Sequence, residues 1–349
     1  MCEIADALLF VLTAALLHRR HSEQPALSSS LVEEEGIVED SLEILDSSHP
    51  YYPHLSVAIK AAVLCFRGEF GRFLSTPTSS LTGMAQYTKS NDTDITTSRP
   101  TWIIDPIDGT TNFAAGNPLC CISIAFVDQG TSKVGVIMSG SGELFVAVEG
   151  EGAYYNGVRV DDARREEDPG VDTRREEDRE GIDVAGDKRG ESQEFFDAGE
   201  REEDIEFDHQ VSPEKLSKKL SDCNICVEFG YERDAEAIDA MTGVVGKILK
   251  NGCRSIRMMG SGVLDLIFVA LGRYDAVYCG VAGEGWKVWD YAAASVFVRE
   301  SGCLISNWGV GDVVVGAGDE SSFNMSGSTC ICCRSEHVRE ELVNILKNP

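Results

Sequence analysis

The chain is poor in positive charge: across 349 residues, 31 Lys and Arg face 58 Asp and Glu, a formal net charge of −27. Nucleic-acid backbones and anionic membranes are gripped by clustered Lys and Arg, so neither is expected as a partner. Long hydrophobic runs are missing too. The stretch Ala7–Leu17, closed by His18-Arg19-Arg20, falls well short of the roughly 20 residues that span a bilayer. Glu3 and Asp6 place acid before it, where a signal peptide carries base; a packed N-terminal helix in a cytoplasmic protein is the expectation. Metal-finger spacing is also lacking, since Cys223-x-x-Cys226 has no second pair and no histidine neighbour. The 12 cysteines sit instead in apolar strings such as Leu119-Cys120-Cys121-Ile122 and Cys330-Ile331-Cys332-Cys333, the setting of buried free thiols.

What is present divides the chain into unlike stretches. Residues 161–210 hold 21 Asp and Glu against 8 Lys and Arg, so about half of the charge imbalance is concentrated there. Arg-Arg-Glu-Glu-Asp occurs at 164–168 and again at 174–178, and Arg-Glu-Glu-Asp at 201–204. Such a tract has too few apolar residues to offset its ordering entropy and reads as a disordered insert, with a solvated charged helix or an unspliced segment as alternatives. Around it, 43% hydrophobic content can fill the core of one large α/β unit or of two modest domains. The division expected is an extension over 1–50, an α+β half over 51–160, the insert, and an α/β half over 211–349. Helical spacing over 51–74 predicts a helix covering a sheet, and apolar runs at Cys121–Val127, Val134–Met138 and Leu144–Val148 predict an antiparallel meander. Further helices are expected over 234–250 and Leu264–Leu271, with a strand at Ala276–Tyr278.

The most informative dozen residues are Trp102-Ile-Ile-Asp-Pro-Ile-Asp-Gly-Thr-Thr-Asn-Phe113. Three apolar residues predict a strand end that delivers Asp105 and Asp108 to a tight turn where Pro106 stops the ladder. Gly109 allows close backbone approach, and the Gly109-Thr110-Thr111 amides can open a helix N-terminus that takes an anion. Paired carboxylates for a hard cation beside an anion pocket suggest phosphate chemistry. A bare Asp-x-x-Asp marks solvated turns just as readily, so the full string carries the argument.

That string resembles the signature of the inositol monophosphatase family, magnesium-dependent and lithium-sensitive phosphatases. The resemblance extends through Tyr154-Tyr155-Asn156-Gly157, Val227-Glu228-Phe229-Gly230-Tyr231-Glu232-Arg233 and Arg257-Met258-Met259-Gly260-Ser261-Gly262-Val263-Leu264-Asp265. Trp289-Asp290-Tyr291-Ala292-Ala293-Ala294 matches the family's second signature. The blocks follow the family's order from about Lys89 to Ser306, while the first 85 residues match weakly and 161–210 not at all. The resemblance implies a layered α-β-α-β-α sandwich of the inositol monophosphatase and fructose-bisphosphatase type, an α/β (α+β) class, and a homodimer. It also implies Mg²⁺ and a small phosphate monoester, inositol monophosphate first, with bisphosphate nucleotides and other sugar phosphates as options.

Carried over by position, Asp105 would bridge two Mg²⁺ ions, the Ile107 carbonyl would hold the first, and Asp108 with Asp290 the second. Gly109 and Thr110 amides would bind phosphate, Thr110 Oγ the attacking water, Asp290 a sugar hydroxyl, and Ser261-Gly262 the ring. Asp105 and Thr110 are thus the catalytic pair. Asp290 also suits a helix N-cap ahead of its alanines, and Glu284 reads better as a solvated loop residue than as the family's substrate glutamate. No histidine falls in these blocks, which leaves imidazole chemistry without a candidate. One family segment is absent: Lys89–Thr97 runs straight into Ser98-Arg99-Pro100-Thr101-Trp102, without the "G-E-E" strand that supplies a metal glutamate and without the aspartate that helps activate water. Gly68-Glu69-Phe70 lies before Lys89, in the wrong order to replace it. Two classes of function follow, a phosphatase and a catalytically impaired relative acting as a binding or regulatory subunit.

Overall fold

The computed structural model describes residues 36–38, 40–66, 100–160, 219–283, 285–308 and 323–347. The Ala7–Leu17 run, Gly68-Glu69-Phe70, the Lys89–Thr97 string, the acidic tract 161–210 and Glu284 lie outside the described residues.

Two sheets organise the molecule. The first is a six-stranded antiparallel meander of β1 (Thr101–Asp108), β2 (Cys121–Asp128), β3 (Thr131–Ser139), β4 (Leu144–Val148), β5 (Gly152–Tyr155) and β6 (Val158–Arg159), each paired with the next. Its central strands are apolar on both faces because both are covered. In β2, Ile122, Ile124 and Phe126 join the cluster under α1 (Tyr52–Cys65), whereas Cys121, Ala125 and Val127 join the cluster on the other side. The helix expected over 51–74 is therefore present as Tyr52–Cys65, and residues beyond 66 lie outside the description.

The second sheet has five strands in the order β10 (Leu304–Ser306), β11 (Cys330–Cys333), β9 (Ala276–Cys279), β7 (Asn224–Val227) and β8 (Ser255–Arg257). β7 runs parallel to β8 and β9, which requires crossover helices, and α3 (Ala235–Lys250) and α4 (Gly262–Ala270) supply them. Asp234 caps α3 by accepting from Ala237 N at 2.9 Å. Buried residues of α4 and of α5 (Val288–Glu300) fill the space between the sheets, and α3 with α6 (Glu336–Leu346) covers the outer face of the second. The order of layers is α1, first sheet, α4–α5, second sheet, α3–α6, the expected α-β-α-β-α sandwich.

Two local expectations are corrected. Asp105 and Asp108 do not sit on a turn past the strand end. Both lie within β1, where Asp105 pairs with Ser123 and Asp108 with Cys121, so that Pro106 and Ile107 stand against Ile122 alone, two residues against one. Pro106 cannot donate to the ladder, and a β-bulge absorbs it without ending the strand. Asp290 is not the N-cap of α5 either. Lys287 is, and Asp290 at the third helical position accepts from the Lys287 amide at 2.6 Å, in the manner of a capping box.

α5 lies close to the first sheet because β3 has Gly135 beneath it. A Cβ there would come 2.4 Å from the Ala293 carbonyl oxygen, so backbone meets backbone. This contact brings the N-terminal turn of α5 toward β1.

Candidate metal centre

The bulge in β1 turns two carboxylates toward α5. Asp105 accepts from its own turn, Ile107 N to Oδ1 at 3.0 Å. Asp108, 7% exposed, is held from several sides: Ser261 Oγ donates to Oδ2, Val263 N donates to the same oxygen at 3.2 Å, and Cys121 Sγ lies 3.8 Å away. Asp290 arrives from the start of α5. Carboxylate oxygens of Asp105, Asp108 and Asp290 all lie within 4.8 Å of one another. The three aspartates are thus brought together across a sequence separation of slightly more than half the chain.

Charge makes this arrangement costly without a cation. Burial and the neighbouring Asp108 push Asp105 up to about 7. Burial likewise pushes Asp108 up to about 6 against its Ser261 and Val263 hydrogen bonds. Asp290 is raised well above the usual carboxylate range by burial, then by Asp108 and Asp105. Among the described residues no Lys, Arg or His forms an ion pair with any of the three. The donors are all hard carboxylate oxygens converging on one point, which suits a divalent cation of the Mg²⁺ or Ca²⁺ kind. Among the described residues no glutamate joins this group.

Gly109 follows with φ +75°, a left-handed conformation at the head of α2 (Thr110–Ala114). A side chain is excluded there for a second reason: a Cβ would lie 2.9 Å from the Leu119 carbonyl oxygen and 3.1 Å from that of Gly260. Thr110 and Thr111 are exposed in the first turn of α2. Ser261, 1% exposed, caps α4 and spends its hydroxyl on Asp108, so any contact with a substrate ring falls to its backbone. Gly262 packs under Trp286, whose ring atoms would be 2.9 Å from an added Cβ. Beside the start of α5 opens a cavity of about 540 Å³ lined by Glu232, Trp286, Lys287, Val288, Ser326 and Ser328, among others. The aspartates do not line it, although Lys287 links it to Asp290 through the backbone hydrogen bond.

Two residues without an assigned role in the sequence reading prove central. Asn112 donates from Nδ2 to the carbonyls of Leu119 at 2.7 Å and Met259 at 2.5 Å, tying α2 to the loop before α4. Glu228 accepts the amides of Met259 and Gly260, each at 2.7 Å. Both lie inside matched motifs, but their partners are remote in sequence. The Cys223-x-x-Cys226 pair forms no disulfide. Cys223 donates to the Lys219 carbonyl at 3.2 Å, as a packed thiol does.

Comparison with known proteins decides the lineage. The sequence profile of the inositol monophosphatase family matches residues 73–346. The chain belongs to the inositol monophosphatase family. It is 31% identical over 210 residues to an inositol monophosphatase of Mesembryanthemum crystallinum, covering 60% of this chain and 57% of that protein. It is 32% identical over 211 residues to inositol monophosphatase 2 of Solanum lycopersicum, covering 60% and 58%. The chain therefore spans less than two thirds of the length of these curated relatives. Among solved structures it is similar to the Thermotoga maritima IMPase at 22% identity and TM-score 0.45, covering 71% of this chain and 68% of that one. It is also similar to the extragenic suppressor protein SuhB of Bartonella henselae, at 20% identity and TM-score 0.48 over 98% of each chain. The first two relatives are named inositol monophosphatases, and among the described residues no helix of this chain is long and apolar enough to cross a membrane.

Proposed function

We propose that the chain is a Mg²⁺-dependent phosphate monoester hydrolase acting on inositol monophosphate, and that it works well below the rate of a complete family member. The observation that carries this reading is the convergence of Asp105, Asp108 and Asp290 within 4.8 Å. In this proposal Asp105 and the Ile107 carbonyl would hold a first ion, and Asp105, Asp108 and Asp290 would hold a second. When bound, Mg²⁺ supplies positive charge against phosphate oxygens and makes a water acidic enough to attack phosphorus near neutral pH. The Gly109 and Thr110 amides receive the phosphate oxygens, and Thr110 Oγ orients the attacking water. Asp290 accepts from a hydroxyl of the leaving sugar, which departs as the P–O ester bond breaks, while the Ser261-Gly262 backbone lines its ring.

The reduced rate follows from the first ion's poor ligand set. The segment that carries the family's metal glutamate is missing between Thr97 and Ser98, and no glutamate among the described residues replaces it. Even the groups that merely support a metal ligand typically contribute 10–100-fold to affinity or activity, so losing a ligand itself is felt at least as strongly. Phosphate release from inositol monophosphate, titrated with Mg²⁺, tests the proposal. Slow release abolished by Asp108→Asn is expected, and inserting a "G-E-E"-bearing segment between Thr97 and Ser98 should raise it. Full family-like turnover would show that another residue has taken the glutamate's place. Absence of release at any Mg²⁺ concentration would favour the binding or regulatory subunit. Bisphosphate nucleotides and other sugar phosphates in the same assay rank the substrates. A cytoplasmic homodimer belongs to the same proposal, and sedimentation of the full chain checks the dimer.

A further inference from the structure

Beneath the loop that carries Ser261 lies a second group of acids with no part in the proposed chemistry. Ligand atoms of Cys226, Glu228 and Asp265 all fall within 4.8 Å of one another. Asp265, in the first turn of α4, is fully buried. Its Oδ1 accepts from Cys226 Sγ at 3.0 Å, and its Oδ2 is enclosed with no hydrogen-bond partner. Glu228 follows β7 directly and spends Oε1 on the Met259 and Gly260 amides. Among the described residues no cationic side chain pairs with either carboxyl.

A fully buried carboxylate beside a half-buried one, with no cation between them, does not stay ionised together with it, and the enclosed Asp265 Oδ2 is left without a partner. One proton resolves both problems. Placed on Asp265 Oδ2, it turns the orphan into a donor toward Glu228, which remains an anion for the two amides. The directions agree: burial raises Glu228, and burial followed by the Glu228 charge raises Asp265 well above the usual range. A metal ion is the rival occupant. Against it, the Cys226 thiol is committed to Asp265 and is raised by burial, and Glu228 Oε1 is already used.

The loop above transmits this anchor to the metal centre. Its amides are held by Glu228, and the Met259 carbonyl is held from the other side by Asn112. Gly260, at φ +81°, leaves no room for a side chain, since a Cβ would lie 2.9 Å from Asn112 Nδ2. Ser261 and Val263 come next, and both donate to Asp108 Oδ2. We propose that Glu228 and Asp265 form a carboxyl–carboxylate pair that shares one proton and fixes the Met259–Ser261 loop at the height where Ser261 and Val263 meet Asp108. Glu228 is thereby a positioning residue for the cation site. The functional half of this inference rests on the reading of the three aspartates given above.

The test uses the full chain with Glu228→Ala, Glu228→Gln and Asp265→Asn. Amide hydrogen exchange over residues 259–263 is measured without metal, Mg²⁺ affinity by calorimetry, and bound metal by elemental analysis. Glu228→Ala should speed exchange in the loop and weaken Mg²⁺ binding by about 10-fold or more, the scale of lost support behind a metal ligand. Glu228→Gln keeps an oxygen for the amides and should restore both. Asp265→Asn presents an N–H where the shared proton stood and should also match the wild type. Should Glu228→Ala fail to fold, Glu228→Asp, one methylene shorter, carries the same expectation. Unchanged exchange in Glu228→Ala, or in Glu228→Asp where that variant replaces it, would overturn the proposal, as would Asp265→Asn behaving like Glu228→Ala. So would a stoichiometric metal lost in Asp265→Asn. If the loop responds as stated while the wild type binds no Mg²⁺, the pair stands and the reading of the aspartates falls.

Discussion

Asp108 concentrates the electrostatic tension of the site. Its carboxyl is raised to about 6 and that of Asp105 to about 7, from 3.8, so the folded state holds these protons more tightly than the unfolded chain. Without metal, that stability is fully present below the ordinary carboxylate range and is lost as pH climbs through about 6 to 7. Asp108→Asn removes one of the opposed charges. In chelator, its melting temperature should therefore gain on the wild type as pH rises from about 4 to about 8, the window those shifts define. A difference that stays flat across this range would contradict the assignment. Asp290 lends itself to a separation of roles. Asp290→Asn keeps an oxygen for the Lys287 amide and should preserve helix content while losing Mg²⁺ affinity in calorimetry. Asp290→Ala loses both, and should cost about 1 kcal/mol more in stability by denaturant titration, the usual worth of such a cap.

At the scale of elements, the contact of α5 with β3 places Asp290. Gly135→Ala would set a Cβ 2.4 Å from the Ala293 carbonyl oxygen, and helix and sheet must separate to admit it. Overpacking of this kind costs roughly 1–3 kcal/mol. Denaturant titration should show that loss, and calorimetry a weaker Mg²⁺ affinity although no ligand has changed. The elements themselves were largely legible. Strands β2 to β4 stand where the apolar runs predicted them, because burial on both faces leaves a continuous signal. Ala235–Lys250 begins where the Asp234 cap and the amphipathic spacing meet. The bulge was not legible, since a period of two cannot reveal one extra residue, and Pro106 reads equally as a strand stop. The work of Glu228 was hidden for another reason: its partners Met259 and Gly260 are 31 and 32 residues away, and only the parallel pairing of β7 with β8 closes that distance. The three aspartates were legible as a set through motif order, whereas their mutual reach depends on Gly135, which no motif marked.

For the whole molecule, the first sheet ends at Arg159 and the described chain resumes at Lys219, ahead of β7. Loop closure entropy rises only slowly with length, and the composition of 161–210 offers no core. Deleting 161–210 should leave the melting temperature and Mg²⁺ affinity unchanged in calorimetry; a large fall would mean that the tract packs against the rest. The three aspartates lie at the seam between the first sheet and the helical layer beside it. Asp105 and Asp108 come from the first sheet, whereas Asp290 and the Ser261 support come from the helical layer that the later part of the chain contributes. A cation there would rivet the seam. Anything that binds only the folded state stabilises it by about 2.7 kcal/mol at a hundred times its dissociation constant. The unfilled seam, with like charges facing across it, is then the first line along which the sandwich opens, and calcium or magnesium depletion would expose the chain to proteases before any strand of the meander gives way.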